Sequence, residues 1–98
     1  MIGKASKIEH TRLDFENGLI VEIKIWKLPI PTDERPHGLK YSLFFGRDGE
    51  RIVGYDNESG KGDHRHYRTK EEPYIFRSME QLFIDFWADV RREEIWNE

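Results

Sequence analysis

Alternation of apolar and polar positions dominates the first half of the chain. Between residues 19 and 28, Leu19, Val21, Ile23 and Ile25 share one parity, and Ile20, Glu22, Lys24 and Trp26 share the other. Period two with β-branched residues predicts a strand with one buried face. A weaker strand precedes it over residues 7–15, with Leu13 and Phe15 alternating with polar neighbours. Glu16-Asn17-Gly18 joins the two as a hairpin of type I′, because Asn and Gly both tolerate positive φ. Pro29, Pro31 and Pro36 then break the ladder, so residues 29–38 read as a loop. The alternation resumes over 39–46, with Tyr41, Leu43 and Phe45 on one face and Ser42 and Phe44 on the other. Asp48-Gly49 supplies another tight turn. The return strand over 50–56 puts Arg51, Val53 and Tyr55 on one face and Ile52, Gly54 and Asp56 on the other. Residues 57–62 read as a loop, and 63–69 as a short fifth strand.

The period changes after residue 78. Met79, Leu82, Phe83, Phe86, Trp87 and Val90 recur at the spacing of one helical stripe. Ser78 with Gln81 predicts a capping box at its start, and Arg91 and Arg92 suit the dipole at its end. The helix should run from about 79 to 92, or on to Ile95, with Glu80, Asp85 and Asp89 away from the stripe. The sheet is the apolar surface that this stripe can cover. The expected fold is therefore α+β: an antiparallel sheet of four to five strands covered by one C-terminal helix.

Size and composition set the limits. Ninety-eight residues make one domain, 1–98, with residues 1–6 expected to be a disordered start. Charged residues reach 36%, but 13% aromatics in patterned segments supply a core. No cysteine is present, which excludes disulfides and thiolate metal sites and fits a reducing cytoplasm, the expected location. No apolar run approaches the ~20 residues that cross a bilayer, so no membrane association is expected. The net charge of −3 argues against broad duplex binding. Locally the balance reverses, since residues 61–70 carry Lys61, Arg65, Arg68 and Lys70 against Asp63.

That basic segment belongs to the stretch 54–68, where candidate chemistry concentrates. His64 and His66 are one residue apart, so an extended backbone points both to one side and Arg65 to the other. Two imidazoles on one face can serve as general base and general acid for metal-independent RNA cleavage. Lys61, Arg65 and Arg68 would then hold the phosphate. Gly60 and Gly62 would let the backbone approach it, with Asp56, Asp63 and Tyr55 in support. The same histidines with Asp56 or Asp63 form a plausible Zn or Mn set, which the neighbouring cations Lys61 and Arg65 oppose. The third reading is a solvated basic loop that docks an acidic partner. His10 and His37 read as surface residues, Asp56-Asn57 as turn formers, and Tyr55 and Tyr67 as strand packing.

The string Tyr55-Asp56-Asn57-x-x-Gly60-Lys61-Gly62-Asp63-His64-Arg65-His66 resembles the TumE family of toxins. So do Pro73-Tyr74-x-Phe76, the Phe86-Trp87-Ala88-Asp89-Val90 helix, Val21-x-Ile23-x-Ile25-Trp26-x-x-Pro29 and Lys40-Tyr41-Ser42-Leu43. The likeness spans residues 13 to 90. It implies the toxin of a type II toxin–antitoxin module, partnered by a small antitoxin with a helix-turn-helix domain. Ribonuclease activity is the usual assumption for small toxins, with RNA as substrate. No cofactor is expected, and a homodimer is compatible with the sequence. Lys61, Asp63, His64, Arg65 and His66 are the motif positions that carry over.

Overall fold

The computed structural model describes residues 4–58 and 60–93. Six strands run β1 (Ser6–Asp14), β2 (Leu19–Lys27), β3 (Leu39–Arg47), β4 (Glu50–Asp56), β5 (His64–Tyr67) and β6 (Lys70–Pro73), followed by the helix α1 (Met79–Arg91). They form one antiparallel sheet whose spatial order is the sequence order. The α+β architecture with one C-terminal helix is as expected, but the sheet has six strands, not four to five. The extra strand, Lys-Glu-Glu-Pro, carries no apolar alternation. It is exposed throughout, and its charges and proline suit a sheet edge. It is joined to β5 by a two-residue turn in which Arg68 takes φ +54°, without a glycine to announce it.

The core lies between the sheet and α1. Leu19, Val21, Ile23 and Ile25 of β2 are buried with Tyr41, Leu43 and Phe45 of β3 and Val53 and Tyr55 of β4. Leu82, Phe86 and Val90 of α1 close the cluster. Met79, at the start of the stripe, is exposed. Ser78 Oγ accepts from the Gln81 N–H at 3.0 Å. Gln81 Nε2 donates to Asp85 at 2.8 Å. Asp85 and Asp89 face the sheet rather than solvent: Tyr74 donates to Asp85 at 2.6 Å, and Tyr55 donates to Asp89.

Turns and bulges set which side chains share a face. At residues 16–18 only Gly18 takes positive φ, so this is a three-residue loop with glycine in the left-handed position, not a type I′ pair. Asp48 and Gly49 both take positive φ and form the expected two-residue turn. The decisive irregularity lies beside it. Phe45 pairs with Val53 and Gly46 with Arg51, which leaves Ile52 as an extra residue in β4. This β-bulge reverses the parity of everything before it. Arg51 therefore shares a face with Gly54 and Asp56, not with Val53 and Tyr55 as simple alternation predicts.

Two expectations fall partly outside the described residues. Residues 1–3 of the expected disordered start, and residues 94–98 that would extend the helix, lie outside the described residues, whereas Ser6 already belongs to β1. Among the described residues, no helix is long and apolar enough to cross a membrane.

Candidate active site

β4, β5 and β6 position a polar cluster on the sheet face turned away from α1. Register places Asp56 opposite His64, Gly54 opposite His66, and His66 opposite Glu71. Because β5 alternates as expected, both imidazoles lie on this face, with ring centroids 4.8 Å apart and edge to face. Asp56 sits between them, with Oδ1 2.6 Å from His64 Nε2 and Oδ2 3.4 Å from His66 Nε2. Arg51 arrives through the bulge. Its Nη2 lies 2.8 Å from His66 Nδ1 and its Nη1 lies 3.8 Å from Asp56. Glu71 flanks both rings, at 3.9 Å from His64 Nε2 and 3.5 Å from His66 Nδ1.

Gly54 makes room for this arrangement. A Cβ there would stand 2.6 Å from Arg51 Cδ, so the arginine lies flat across the glycine to reach His66. The two histidines are nearly buried, at 4% and 7% exposure. Arg51 and Glu71 reach solvent, at 38% and 45% of their side chains.

Hydrogen bonding fixes the two rings differently. His64 Nδ1 lies 2.9 Å from the Gly62 carbonyl, which can only accept, so Nδ1 carries a proton and Nε2 faces Asp56. His66 Nδ1 faces a guanidinium, which can only donate, so a neutral His66 carries its proton on Nε2. Burial, then the charge of Arg51, pushes the His66 pKa below the ordinary imidazole value. Asp56 Oδ1, His66 Nε2 and Arg51 Nε are buried without an aligned hydrogen-bond partner among the described residues. Such orphaned groups are rare and costly in a folded interior. Their concentration at one point makes this cluster the candidate site.

The other sequence candidates are placed elsewhere. Arg65 points to the α1 face, where it donates to the Tyr55 hydroxyl at 3.3 Å, pairs with Glu72 and lies 3.7 Å from Asp89. Tyr55 is fully buried in the core, on the opposite side of the sheet from the histidines. Burial raises its pKa. Arg68 sits in the β5–β6 turn and is held by Glu93 at 2.9 Å. Asp63 accepts from the Tyr41 hydroxyl at 2.7 Å and contacts His37 Nε2 at 3.0 Å. Lys61 stays with the site region, since it lines a shallow pocket with Asp63, His64 and Glu71. Gly60 and Gly62 take φ of +83° and +72°, the left-handed values that their loop requires.

Two readings from sequence are corrected by these positions. His37 is not a surface residue: it packs on Phe76 at a centroid distance of 4.0 Å and anchors the loop through Asp63. Asn57 is not a plain turn former. It is buried, accepts from the Tyr41 N–H at 3.0 Å and donates to the Leu39 carbonyl at 2.8 Å, closing the ladder where β4 ends. Arg35, buried in the proline-rich loop, donates to the Asn57 carbonyl at 2.8 Å. His10, by contrast, is exposed, as expected. Sequence reasoning missed Arg51 and Glu71. The signal available for Arg51 was the pair of glycines, Gly46 and Gly54, facing it across and along the strands.

Asp56, His64 and His66 each offer a ligand atom, and these atoms all lie within 4.8 Å of one another, a spacing that a metal ion can bridge. The opposing cation is not Arg65, which lies on the other face, but Arg51. Its hydrogen bond to His66 Nδ1 also puts the neutral ring's proton on the nitrogen that would have to bind the metal.

Residues 3–94 match the protein family described as Toxin TumE. No curated protein and no solved structure matches the chain.

Proposed function

The chain belongs to the TumE toxin family, and on that premise we propose that it is the toxin of a type II toxin–antitoxin module that cleaves RNA without a metal ion. The observation that carries this reading is the Arg51–Asp56–His64–His66 cluster, with Asp56 Oδ1 2.6 Å from His64 Nε2 and His66 Nε2 buried without an aligned partner. Metal-independent cleavage needs a proton acceptor, a proton donor and a fixed cation. The cluster offers all three within a few ångströms.

In the proposed reaction the ribose 2′ oxygen attacks the adjacent phosphorus and the P–O5′ bond breaks. The 2′ proton passes to the Asp56–His64 couple. Its facing atoms are 2.6 Å apart, so a proton taken up by either is shared with the other. His66 protonates the departing 5′ oxygen. Arg51 contacts the non-bridging oxygens, and Lys61 is the cation of the adjoining pocket, beside Asp63, Glu71 and Glu72. The products are a 2′,3′-cyclic phosphate and a 5′ hydroxyl. Arg51 depresses the His66 pKa in the free protein. A phosphate gripped by Arg51 offsets that charge and raises the His66 pKa, so substrate binding loads the acid.

The partner of this reading is an antitoxin carrying a helix-turn-helix domain, acting in the cytoplasm. The test is induced expression followed by analysis of cellular RNA ends. Cyclic phosphate ends that appear with the wild-type chain and vanish with His66→Ala support the reading. Intact RNA during growth arrest refutes it.

A second reading rests on the spacing of Asp56, His64 and His66, whose ligand atoms lie within 4.8 Å of one another. In it, Asp56, His64 and His66 would hold a divalent metal ion, which would supply Lewis-acid chemistry for phosphodiester hydrolysis. Activity abolished by EDTA and restored by Zn²⁺ or Mn²⁺ selects this reading over the first.

A further inference from the structure

The sheet face turned away from α1 extends well beyond the histidine cluster, and its composition is unlike that of the core face. Register places Lys7, Trp26 and Lys40 in one cross-strand row. Lys24, Ser42, Asp56 and His64 form the next, and Glu22, Phe44, Gly54 and His66 the one after. The Trp26 and Phe44 rings are half-buried, among half-buried polar side chains and away from the core. Lys40 Nζ stands 5.6 Å from the Trp26 ring centroid, so ring and cation are presented together. A Cβ at Gly46 would stand 2.7 Å from Phe44 Cζ, so the Phe44 ring lies down along the sheet over that glycine. Arg51 lies flat over Gly54 in the same way. Two glycines thus keep this part of the surface low, beside an aromatic face and a guanidinium. Glu22, the acid in the Phe44 row, is offset by His10 at 3.1 Å and Lys24 at 3.7 Å.

We propose that this face is a platform for unpaired nucleotides of single-stranded RNA, on which bases stack against Trp26 and Phe44. Lys7, Lys24 and Lys40 contact the backbone, and the strand is led to Arg51 and the histidines. The proposal rests on the RNA-cleaving reading and names the class of RNA. Stacking on aromatic side chains over a sheet requires exposed base faces, which a duplex does not offer. Strands about 4.8 Å apart put Phe44 roughly 10 Å from His66 across Gly54, so a base stacked on Phe44 leaves its backbone close to the cluster.

The test uses the full chain in a cleavage-inactive His64→Ala/His66→Ala background and a fluorescein-labelled ten-nucleotide RNA without secondary structure. Trp26→Leu and Phe44→Leu should each weaken binding about 5- to 150-fold, the range for loss of one stacked base. Trp26→Phe should recover most of the loss, and Ile84→Ala on α1 should leave binding unchanged. Lys40→Gln should flatten the salt dependence by roughly 0.7 of a logarithmic slope unit. A duplex of the same sequence should bind more weakly. Circular dichroism on each variant separates lost binding from lost fold. Unchanged affinity in Trp26→Leu and Phe44→Leu, duplex binding as tight as single-strand binding, or no binding of the probe at all would overturn the platform. The two readings fail separately. Binding through Trp26 without cleavage by the wild-type chain keeps the platform and removes the reaction, and cleavage indifferent to both aromatic substitutions does the reverse.

Discussion

The two sides of β5 are one residue apart in sequence and opposite in chemical character. On the α1 side, Arg65 is tied to Tyr55, Glu72 and Asp89, and the neighbouring tyrosines are tied to carboxylates. On the other side, His64 and His66 converge with Asp56 and Arg51, and three buried polar atoms of that group lack aligned partners. A satisfied network stabilises and orients the fold. An unsatisfied one is retained at a cost, and natural chains accept such costs chiefly at functional sites. Satisfaction, more than residue type or charge, separates the two arginines: Arg65 belongs to the motif and is occupied, whereas Arg51 lies outside it and faces the histidines.

Substitutions should break this contrast cleanly. The largest effect is expected for His66→Ala, which should reduce RNA cleavage by about 10²–10⁴-fold, the usual contribution of a general acid. Its melting temperature should stay near that of the wild type, and purified variant protein with a defined RNA checks both. Next comes Asn57→Ala. It leaves the Tyr41 N–H and the Leu39 carbonyl unpaired in the interior and should cost about 2–4 kcal/mol of stability, measured by urea unfolding. Arg65→Ala should behave as a structural change on the partly exposed side, with a loss of about 0–1 kcal/mol. Cleavage should be kept when corrected for folded protein, and a loss as large as that of His66→Ala would erase the contrast.

The smaller effects concern pH and geometry. If His66 must be protonated to act, activity falls as pH rises through its pKa, and in the free protein that limb lies below the ordinary imidazole value of 6.5. Arg51 holds the pKa down, so Arg51→Gln should move the limb of kcat/KM to higher pH while lowering the maximum rate. A limb that moves to lower pH would contradict the assignment. Gly54→Ala should be the mildest in stability, because the atom it meets belongs to a flexible side chain. It should nevertheless displace Arg51, and the change is read as a shift of the same limb toward that of Arg51→Gln.

Much of this arrangement was legible in the sequence where a period was regular. β2 and β3 alternate without interruption, and their faces came out as read. The α1 stripe and the common side of His64 and His66 followed from the same rule. The rule failed at three kinds of place. A bulge at Ile52 reversed the face of Arg51, and no local propensity announces one extra residue. β6 has no apolar residue to alternate, since it pairs through its backbone at a charged edge. Asn57 and His37 took their roles from long-range partners, Leu39 and Tyr41 for the first and Asp63 and Phe76 for the second. Residue type alone said only turn and surface. The motif string holds His64 and His66, and the bulge decides which cation stands beside them.

The order of the sheet has a consequence for how the chain is made. Each strand pairs with the next one in sequence, so the ladder can grow as residues emerge, through contacts of short separation. The cover cannot, because α1 follows every strand, and Leu82, Phe86 and Val90 close the core. During synthesis Leu19 through Tyr55 therefore wait with one apolar side bare, a period of exposure to aggregation and to chaperones. The histidine cluster depends on a sheet that is not yet closed at that stage. A nascent chain would thus complete the fold that carries the cluster only once α1 has been made.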